Sequence, residues 1–331
     1  MRDFPSRLQL ALSGFLAERR AQATAIDPRL ERLLDELESA VDAGGKRLRP
    51  LLAAWGYRAG GREVDDAMVA AAAALELLHT FALIQDDVMD QSTTRRGRPA
   101  SHVSLACAAE IDPERFGLSA AMLLGDLALI WADQMLVGSG FPAERLARGL
   151  AVYNELRTEV TLGQYLDVLA AHSHRVTEEE ALTVNQYKTA SYTVQRPIQL
   201  GLALAGAPEP LVAAISGYAI PAGIAFQLRD DVLGAFGDPE VTGKPSGQDL
   251  LERKPTWLWA RTVHLCPETE ETTDVARIRQ LMVQSGALGE AEGKIRTMVQ
   301  EAVAAARALD VQEELVCELV GLTERLAWRR S

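Results

Sequence analysis

The chain has 331 residues, 48% of them hydrophobic and only 5% aromatic, and a formal net charge of −12. That length supplies a large core in one or two domains, and the acidic balance argues against general attraction to nucleic acid or an anionic membrane. Any anionic substrate must be held by local basic residues or by metal.

The pattern is helical nearly throughout, because Ala and Leu are abundant and alternating β-branched runs are scarce. Met1 to Arg20 mixes Arg, Asp and Glu into its apolar positions and lacks the ordered regions of a signal peptide. Leu8, Leu12, Phe15 and Leu16 recur at helical spacing, as do Leu30, Leu33, Leu34 and Leu37. Gly44-Gly45-Lys46-Arg47-Leu48-Arg49-Pro50 is a glycine-rich loop with three cations, and Pro50 can start the next helix. After the Gly60-Gly61 turn, residues 69–89 read as one long buried helix. Its most apolar part, 69–84, is broken by Glu76 and His79 and is shorter than a typical membrane span. No stable membrane insertion is therefore expected. Residues 120–137, 143–171, 178–203 and 210–236 are further predicted helices, with turn signals at 138–142 and at Ala207-Pro208. Two more are predicted at 276–286 and 292–325. Without a low-complexity linker or a regular repeat, the expected fold is a single all-α domain over 1–331. Cys107, Cys266 and Cys317 are far apart and form no CxxC, so they read as thiols of a reducing compartment in a soluble cytoplasmic protein.

One acidic cluster appears twice. Leu83-Ile84-Gln85-Asp86-Asp87-Val88-Met89-Asp90 is an apolar run ending in DDxxD, and Gln227-Leu228-Arg229-Asp230-Asp231-Val232-Leu233-Gly234 repeats the theme. Two like charges about 4 Å apart repel by roughly 4 kcal/mol at an effective dielectric near 20. A chain that builds such a cluster twice has cations to place there. Carboxylate oxygens suit a hard ion such as Mg²⁺, which sits between one or two carboxylates and substrate phosphates. The plain alternative is two solvated acidic helix ends. On a helix Asp86 and Asp90 are i and i+4 and share a face, while Asp87 points about a quarter-turn away.

Basic residues attend both clusters. Arg95-Arg96-Gly97 follows the first closely enough to fold back over it, and Arg suits bidentate grip of phosphate oxygens. His79 lies two helical turns before Asp86 on about the same face, although a lone His on an apolar helix is more often an ordinary core residue. Gln227 precedes Asp230 on one face, and the turn-rich loop after Gly237 can bring Lys244 over the second cluster, with Lys254 one loop further on. Lys188-Thr189 offers an ammonium and a hydroxyl, and Gln164 and Asp167 sit at i and i+3 on another helix. Two carboxylate clusters, several cations and a scaffold of small apolar residues suit a substrate with a diphosphate head and a greasy tail.

The ordered set GGKRLRP, DDVMD with RRG, KT, FQLRDDVLG, GDPEVTGK and a final Lys resembles the trans-isoprenyl diphosphate synthase (polyprenyl synthase) family, and is similar to its short-chain geranylgeranyl members. The resemblance implies a bundle of antiparallel helices around a deep cavity, usually a homodimer, with several Mg²⁺ ions per site. It implies that Asp86, Asp90 and Asp230 are metal ligands. It assigns Arg95, Lys188, Thr189, Gln227, Lys244 and Lys254 to the allylic diphosphate, and Lys46, Arg49, His79 and Arg96 to isopentenyl diphosphate. Among these, Asp86, Asp90, Asp230, Lys188 and Arg95 carry the catalysis. Mg²⁺ and the basic residues would draw off the allylic diphosphate, and the double bond of isopentenyl diphosphate would attack the resulting cation.

Two positions depart from the family pattern. The second motif ends in Gly234 rather than Asp, and Pro255 follows Lys254 and removes a backbone N–H. Phe81 with the small Ala82 beside it, before the first motif, resembles the geranylgeranyl pattern; aromatics at both positions would suggest a farnesyl product. The plain alternative for Phe81 is an ordinary core residue. Rival readings are a farnesyl or longer-chain synthase, a class I terpene cyclase, and a non-catalytic partner subunit. The cyclase would need a different second motif, and the partner subunit would lack one of the two aspartate clusters.

Overall fold

The structure is a computed structural model that describes residues 1, 3–237 and 247–328, apart from the side chain of Gln248. The described residues are all-α except for one hairpin with two-residue strands. Two compact units make up the chain: Met1–Gly149 with Gly201–Gly206, and Leu150–Leu200 with Ala207–Ser331.

The first unit contains α1 (Phe4–Thr24), α2 (Glu31–Asp42), α3 (Leu48–Ala59), α4 (Asp66–Met89), α5 (Ser101–Ala106), α6 (Pro113–Val137) and the start of α7 (Ala143–Ala171). Helix α4 is the centre, packed by α6, α3 and α1. Asp65 starts it, accepting a hydrogen bond from the Met68 amide at 2.9 Å. The run Ala71–Ala74 is fully buried, so neighbouring backbones come close without large side chains between them. Helix α3 begins at Leu48 and not at Pro50. Pro50 is its third residue, where the amide it lacks has no intrahelical partner anyway. Helix α6 begins seven residues before the sequence expectation because Pro113, with φ pre-set for a helix, opens it.

The second unit holds the rest of α7, α8 (Glu178–Val184), a π-helix (Asn185–Gln195), most of its continuation α9 (Arg196–Ala205 overall), and α10 (Glu209–Phe236). Then come α11 (Gln248–Leu251), α12 (Trp257–Leu265), α13 (Val275–Gln284), α14 (Ala287–Arg307) and α15 (Glu313–Ala327). Helix α10 packs on the π-helix, α14 and α15. Gly223 makes the first of these contacts possible, since a Cβ there would overlap the backbone of Ala190. The predicted helix 178–203 is thus three segments, with wider π turns in the middle. The predicted helix 292–325 is two, reversing at 308–312 so that α15 can lie on both α14 and α10.

Among the described residues three helices, α4, α6 and α10, are long and apolar enough to cross a membrane by length and composition. The expectation that the stretch around 69–84 was too short is corrected, because the helix runs for 24 residues. In α4, 67% of the most apolar window is buried inside the protein, which accounts for its composition without a bilayer.

Candidate active site

In the first unit, the α4 helix carries His79, Phe81, Ala82 and Asp86 at half-buried positions, and its last turn closes when the Asp90 amide donates to the Asp86 carbonyl at 2.8 Å. Asp86 and Asp90 therefore keep the i, i+4 relation read from the sequence. The chain then forms the hairpin Thr94–Arg95 with Arg98–Pro99. Its two turn residues, Arg96 and Gly97, both have positive φ (52° and 73°), the geometry of a tight two-residue hairpin turn. The turn sends two arginines in different directions. Arg95 returns to the helix end: its Nε donates to Asp87 Oδ1 at 2.6 Å and its Nη2 to Asp86 Oδ2 at 3.0 Å. Arg96 reaches the glycine loop and donates to the Gly44 carbonyl.

The hairpin is held from behind by α2. Arg98 donates to the Ser39 carbonyl at 2.5 Å. Ser101 and Ser104 donate to the buried carboxylate of Glu36 at 2.9 and 2.6 Å. None of these partners was singled out in the sequence, since each contact is between residues far apart in the chain.

Burial raises the pKa of Asp87, with Arg95 pulling it back and Asp86 adding to the rise. His79 is the opposite case. Burial first, then the charges of Arg49, Arg96, Arg95 and Arg47, hold its pKa well below 6.5. It is neutral at pH 7, within electrostatic reach of four guanidinium groups. Arg96 is pushed down as well, by burial and by Arg95, Arg47 and Arg49, against an upward pull from Glu76. Such a set of cations repels itself and is relieved by an anion. Arg47, which was not assigned a role, is tied to the buried Glu76 and to the Val41 carbonyl at 2.8 Å, and so braces the loop. Lys46 is exposed beside it and Arg49 is half-buried in the first turn of α3.

In the second unit, α10 presents Gln227, Asp230 and Asp231 near its C-terminal end. Thr189, on the π-helix, donates to Gln227 Oε1 at 2.8 Å, and Gln227 Nε2 donates to Asp231 Oδ1 at 2.9 Å. Lys188 pairs with Asp167 at 2.5 Å, where Gly163 lets the π-helix backbone approach α7. Two residues expected to serve one ligand, Thr189 and Gln227, are thus in direct contact. Asp231 is 7% exposed and its pKa is raised to about 6. Burial is the main cause and the Asp249 charge adds to it, while Gln227, Lys254 and Asn185 act against it. Lys254 is therefore close enough to act on the second cluster despite Pro255. Pro255 lies outside α12, just before its cap Thr256, where a missing amide costs nothing. Lys244 lies outside the described residues. Asn185 and Asp249 are additions that the sequence did not point to.

Among the described residues no group of three or more His, Cys, Asp or Glu is gathered to hold a metal ion. The donors expected for one, Asp86 and Asp90 in the first unit and Asp230 in the second, offer only carboxylate oxygens, the chemistry that a hard divalent ion prefers.

An all-α chain with two aspartate motifs, each attended by its own basic groups, has the makings of an isoprenoid diphosphate synthase. Residues 30–288 match the polyprenyl synthetase family, and the chain belongs to that family. It is 34% identical to a geranylfarnesyl diphosphate synthase of Aeropyrum pernix, with 79% of this chain and 83% of the relative covered. It is also 34% identical to a geranylgeranyl diphosphate synthase of Methanosarcina mazei, with 75% and 76% covered. A crystal structure of geranylgeranyl pyrophosphate synthase from Corynebacterium glutamicum, complexed with isoprenyl diphosphate and magnesium, superposes with a TM-score of 0.94 at 36% identity, covering 99% of each chain. The protein is a trans-prenyltransferase, of a family that is Mg-dependent and uses isopentenyl and allylic diphosphates.

Proposed function

We propose that this prenyltransferase condenses isopentenyl diphosphate head-to-tail with an allylic diphosphate, depends on Mg²⁺ held by Asp86, Asp90 and Asp230, and stops at the twenty-carbon geranylgeranyl diphosphate. The observation that carries the reading is the meeting of the basic glycine loop with the first aspartate motif: Arg95 donates to Asp86 and Asp87 and the neighbouring Arg96 to the Gly44 carbonyl, with His79 on the same helix as the motif and within electrostatic reach of both arginines. Arg49, Arg96, Lys46 and His79 hold the diphosphate of isopentenyl diphosphate. A neutral imidazole adds a hydrogen bond there without adding a charge to be repelled. Arg95, Lys188, Thr189, Gln227, Lys244 and Lys254 hold the allylic diphosphate. When bound, the metal ions neutralise the departing diphosphate. Lys188 and Arg95 exchange their carboxylate partners for phosphate oxygens as the allylic C–O bond breaks, stabilising the negative charge where it develops. The π bond of isopentenyl diphosphate forms the new C–C bond, and the departing diphosphate takes the proton that is lost. No nucleophilic side chain is needed.

Chain length is assigned to Phe81 and Ala82, half-buried on α4 in the two turns before Asp86. The two sequence relatives named above make products of different length by name, so the site has to decide. The facing helix divides at its middle: Leu124 is buried, whereas Met122 and Leu123 are 51% and 65% exposed. Purified protein incubated with dimethylallyl, geranyl or farnesyl diphosphate, isopentenyl diphosphate and Mg²⁺ should yield geranylgeraniol after dephosphorylation, and Phe81→Ala longer alcohols. A fifteen- or twenty-five-carbon product overturns the length and leaves the enzyme class intact; no condensation at all overturns the class.

A homodimer in a reducing cytoplasm completes the proposal. Phe116, Leu123, Ile130 and Val137 recur every seventh residue on α6 and are 43 to 65% exposed, a stripe suited to a second helix. The three cysteines are free thiols. Light scattering on the purified protein tests the dimer, and Leu123→Glu should shift it to monomer.

A further inference from the structure

The second aspartate motif ends in Gly234, one helical turn after Asp230 and on the same face of α10. The first motif has Asp90 at the equivalent step after Asp86. The space that a side chain at 234 would fill is not open. A Cβ built on Gly234 would collide with Oδ2 of Asp249, and the Asp249 Cγ would lie 3.2 Å from it. The carboxylate of Asp249 thus lies where the carboxylate side chain of the missing motif residue would begin.

Its placement is built into the fold. Asp249 lies on the short helix α11, and the next residue, Leu250, is buried in the core with Leu228, Val232 and Trp257. Gly247 enters α11 with φ 85°, and a Cβ there would strike Val275. The Lys254 amide closes the turn onto the Asp249 carbonyl at 2.8 Å. A second observation points to a ligand: Oδ2 of the buried Asp231 has no hydrogen-bond partner, and the Asp249 charge reaches that residue. Lys254 is the cation that already acts on Asp231, and the two carboxylates in mutual range, one with an unmatched buried oxygen, are what a further cation would relieve.

We infer that Asp249 supplies the carboxylate that the second motif lacks at Gly234, and that it binds the divalent cation together with Asp230. The inference rests on the proposed role of Asp230 as a metal ligand. Gly234 is then not a defect of the motif, because its missing side chain makes room for an acid delivered from elsewhere in the chain.

The test is Mn²⁺ binding to the full-length protein with inorganic pyrophosphate, followed by the loss of the free-ion paramagnetic resonance signal, with a melting curve for each variant. Asp230→Asn checks the underlying reading; if it leaves Mn²⁺ binding unchanged, that reading falls and the inference with it. If Asp230→Asn weakens binding, Asp249→Asn should weaken it about tenfold or more. The double variant Gly234→Asp with Asp249→Ala moves the carboxylate back into the motif. The nearest remaining atom of residue 249 would be its Cβ, 3.8 Å from the new one. This variant should recover most of the Mn²⁺ affinity. Binding by Asp249→Asn equal to wild type overturns the inference. So does a loss that the relocated carboxylate does not reverse, since Asp249 would then serve only the fold.

Discussion

Arg95 and Asp87 form a half-buried pair at the end of α4, with Nε 2.6 Å from Oδ1, the Asp87 side chain only 5% exposed and the Arg95 side chain 29% exposed. Asp87 is the middle acid of the motif, and the contact gives it a task distinct from those proposed for Asp86 and Asp90: it aims the arginine. Asp87→Asn keeps the size and removes the charge that anchors Arg95. Stability at pH 7 should change little, because burial already raises the Asp87 pKa and removing the buried charge offsets the weakened hydrogen bond. The KM for the allylic diphosphate should rise more than that for isopentenyl diphosphate. Denaturant melts and steady-state kinetics with each substrate varied give the two readouts.

Asp86→Ala should lower turnover by orders of magnitude while leaving the melting temperature within a few degrees of wild type. Asp86 is half-buried and its loss opens no cavity in the alanine-lined core around Ala71–Ala74. Excess chelator should abolish condensation by the wild type, and added Mg²⁺ should restore it. Near-normal condensation by the variant would remove Asp86 from the metal site.

The two diphosphates should separate kinetically. Arg49 belongs with His79 to the first unit and its charge acts on that imidazole, whereas Lys188 is on the π-helix of the second. Arg49→Ala should mainly raise KM for isopentenyl diphosphate, and Lys188→Ala mainly that for the allylic primer. A contact that tightens as charge develops also lowers kcat, which is expected for Lys188. If both variants affect one substrate, the assignment of the two sites is wrong.

Asp231 and His79 should give opposite pH dependences of stability. The Asp231 pKa is raised from 3.8 to about 6, so its favourable contribution is complete below pH about 4 and is lost as pH rises through 6. Asp231→Asn should therefore raise the melting temperature at pH 7 and not at pH 4. The His79 pKa is depressed, so its contribution is present above pH about 6.5 and is lost as pH falls, because the unfolded chain takes up a proton that the folded one refuses. His79→Gln should flatten the melting profile below about pH 6.5. Thermal scans across pH on the two variants decide both.

What the sequence made legible was local chemistry on long elements. Asp86 and Asp90 could be placed on one face because i, i+4 spacing on a helix fixes it, and the family resemblance, rather than the residues alone, grouped Thr189 and Gln227 on one diphosphate, where the two are in contact. The helices expected at 69–89 and 210–236 were read to within three residues, and 143–171 without error, whereas α6 begins seven residues early. What stayed hidden depends on distant parts of the chain. The hairpin that aims Arg95 has strands of two residues, too short to show any alternation. The reversal at 308–312 contains no Gly or Pro to mark it. The collision between Gly234 and Asp249 exists only once α11 is folded back.

The π-helix constrains how this chain can change length. Through Asn185–Gln195 the backbone holds a wider turn, closed where the Arg196 amide donates to the Ser191 carbonyl five residues back. Arg196 then meets Glu155 and Glu159 at 2.6 and 2.5 Å, with Lys188 and Thr189 aimed elsewhere. Removing one residue from this segment would restore ordinary α spacing and rotate everything after it relative to everything before it. Substitutions here alter one contact each, whereas a single-residue deletion would misalign the Thr189–Gln227 hydrogen bond and the Arg196 ion pairs together. Insertions and deletions should accordingly be far rarer here than substitutions among chains that keep the activity.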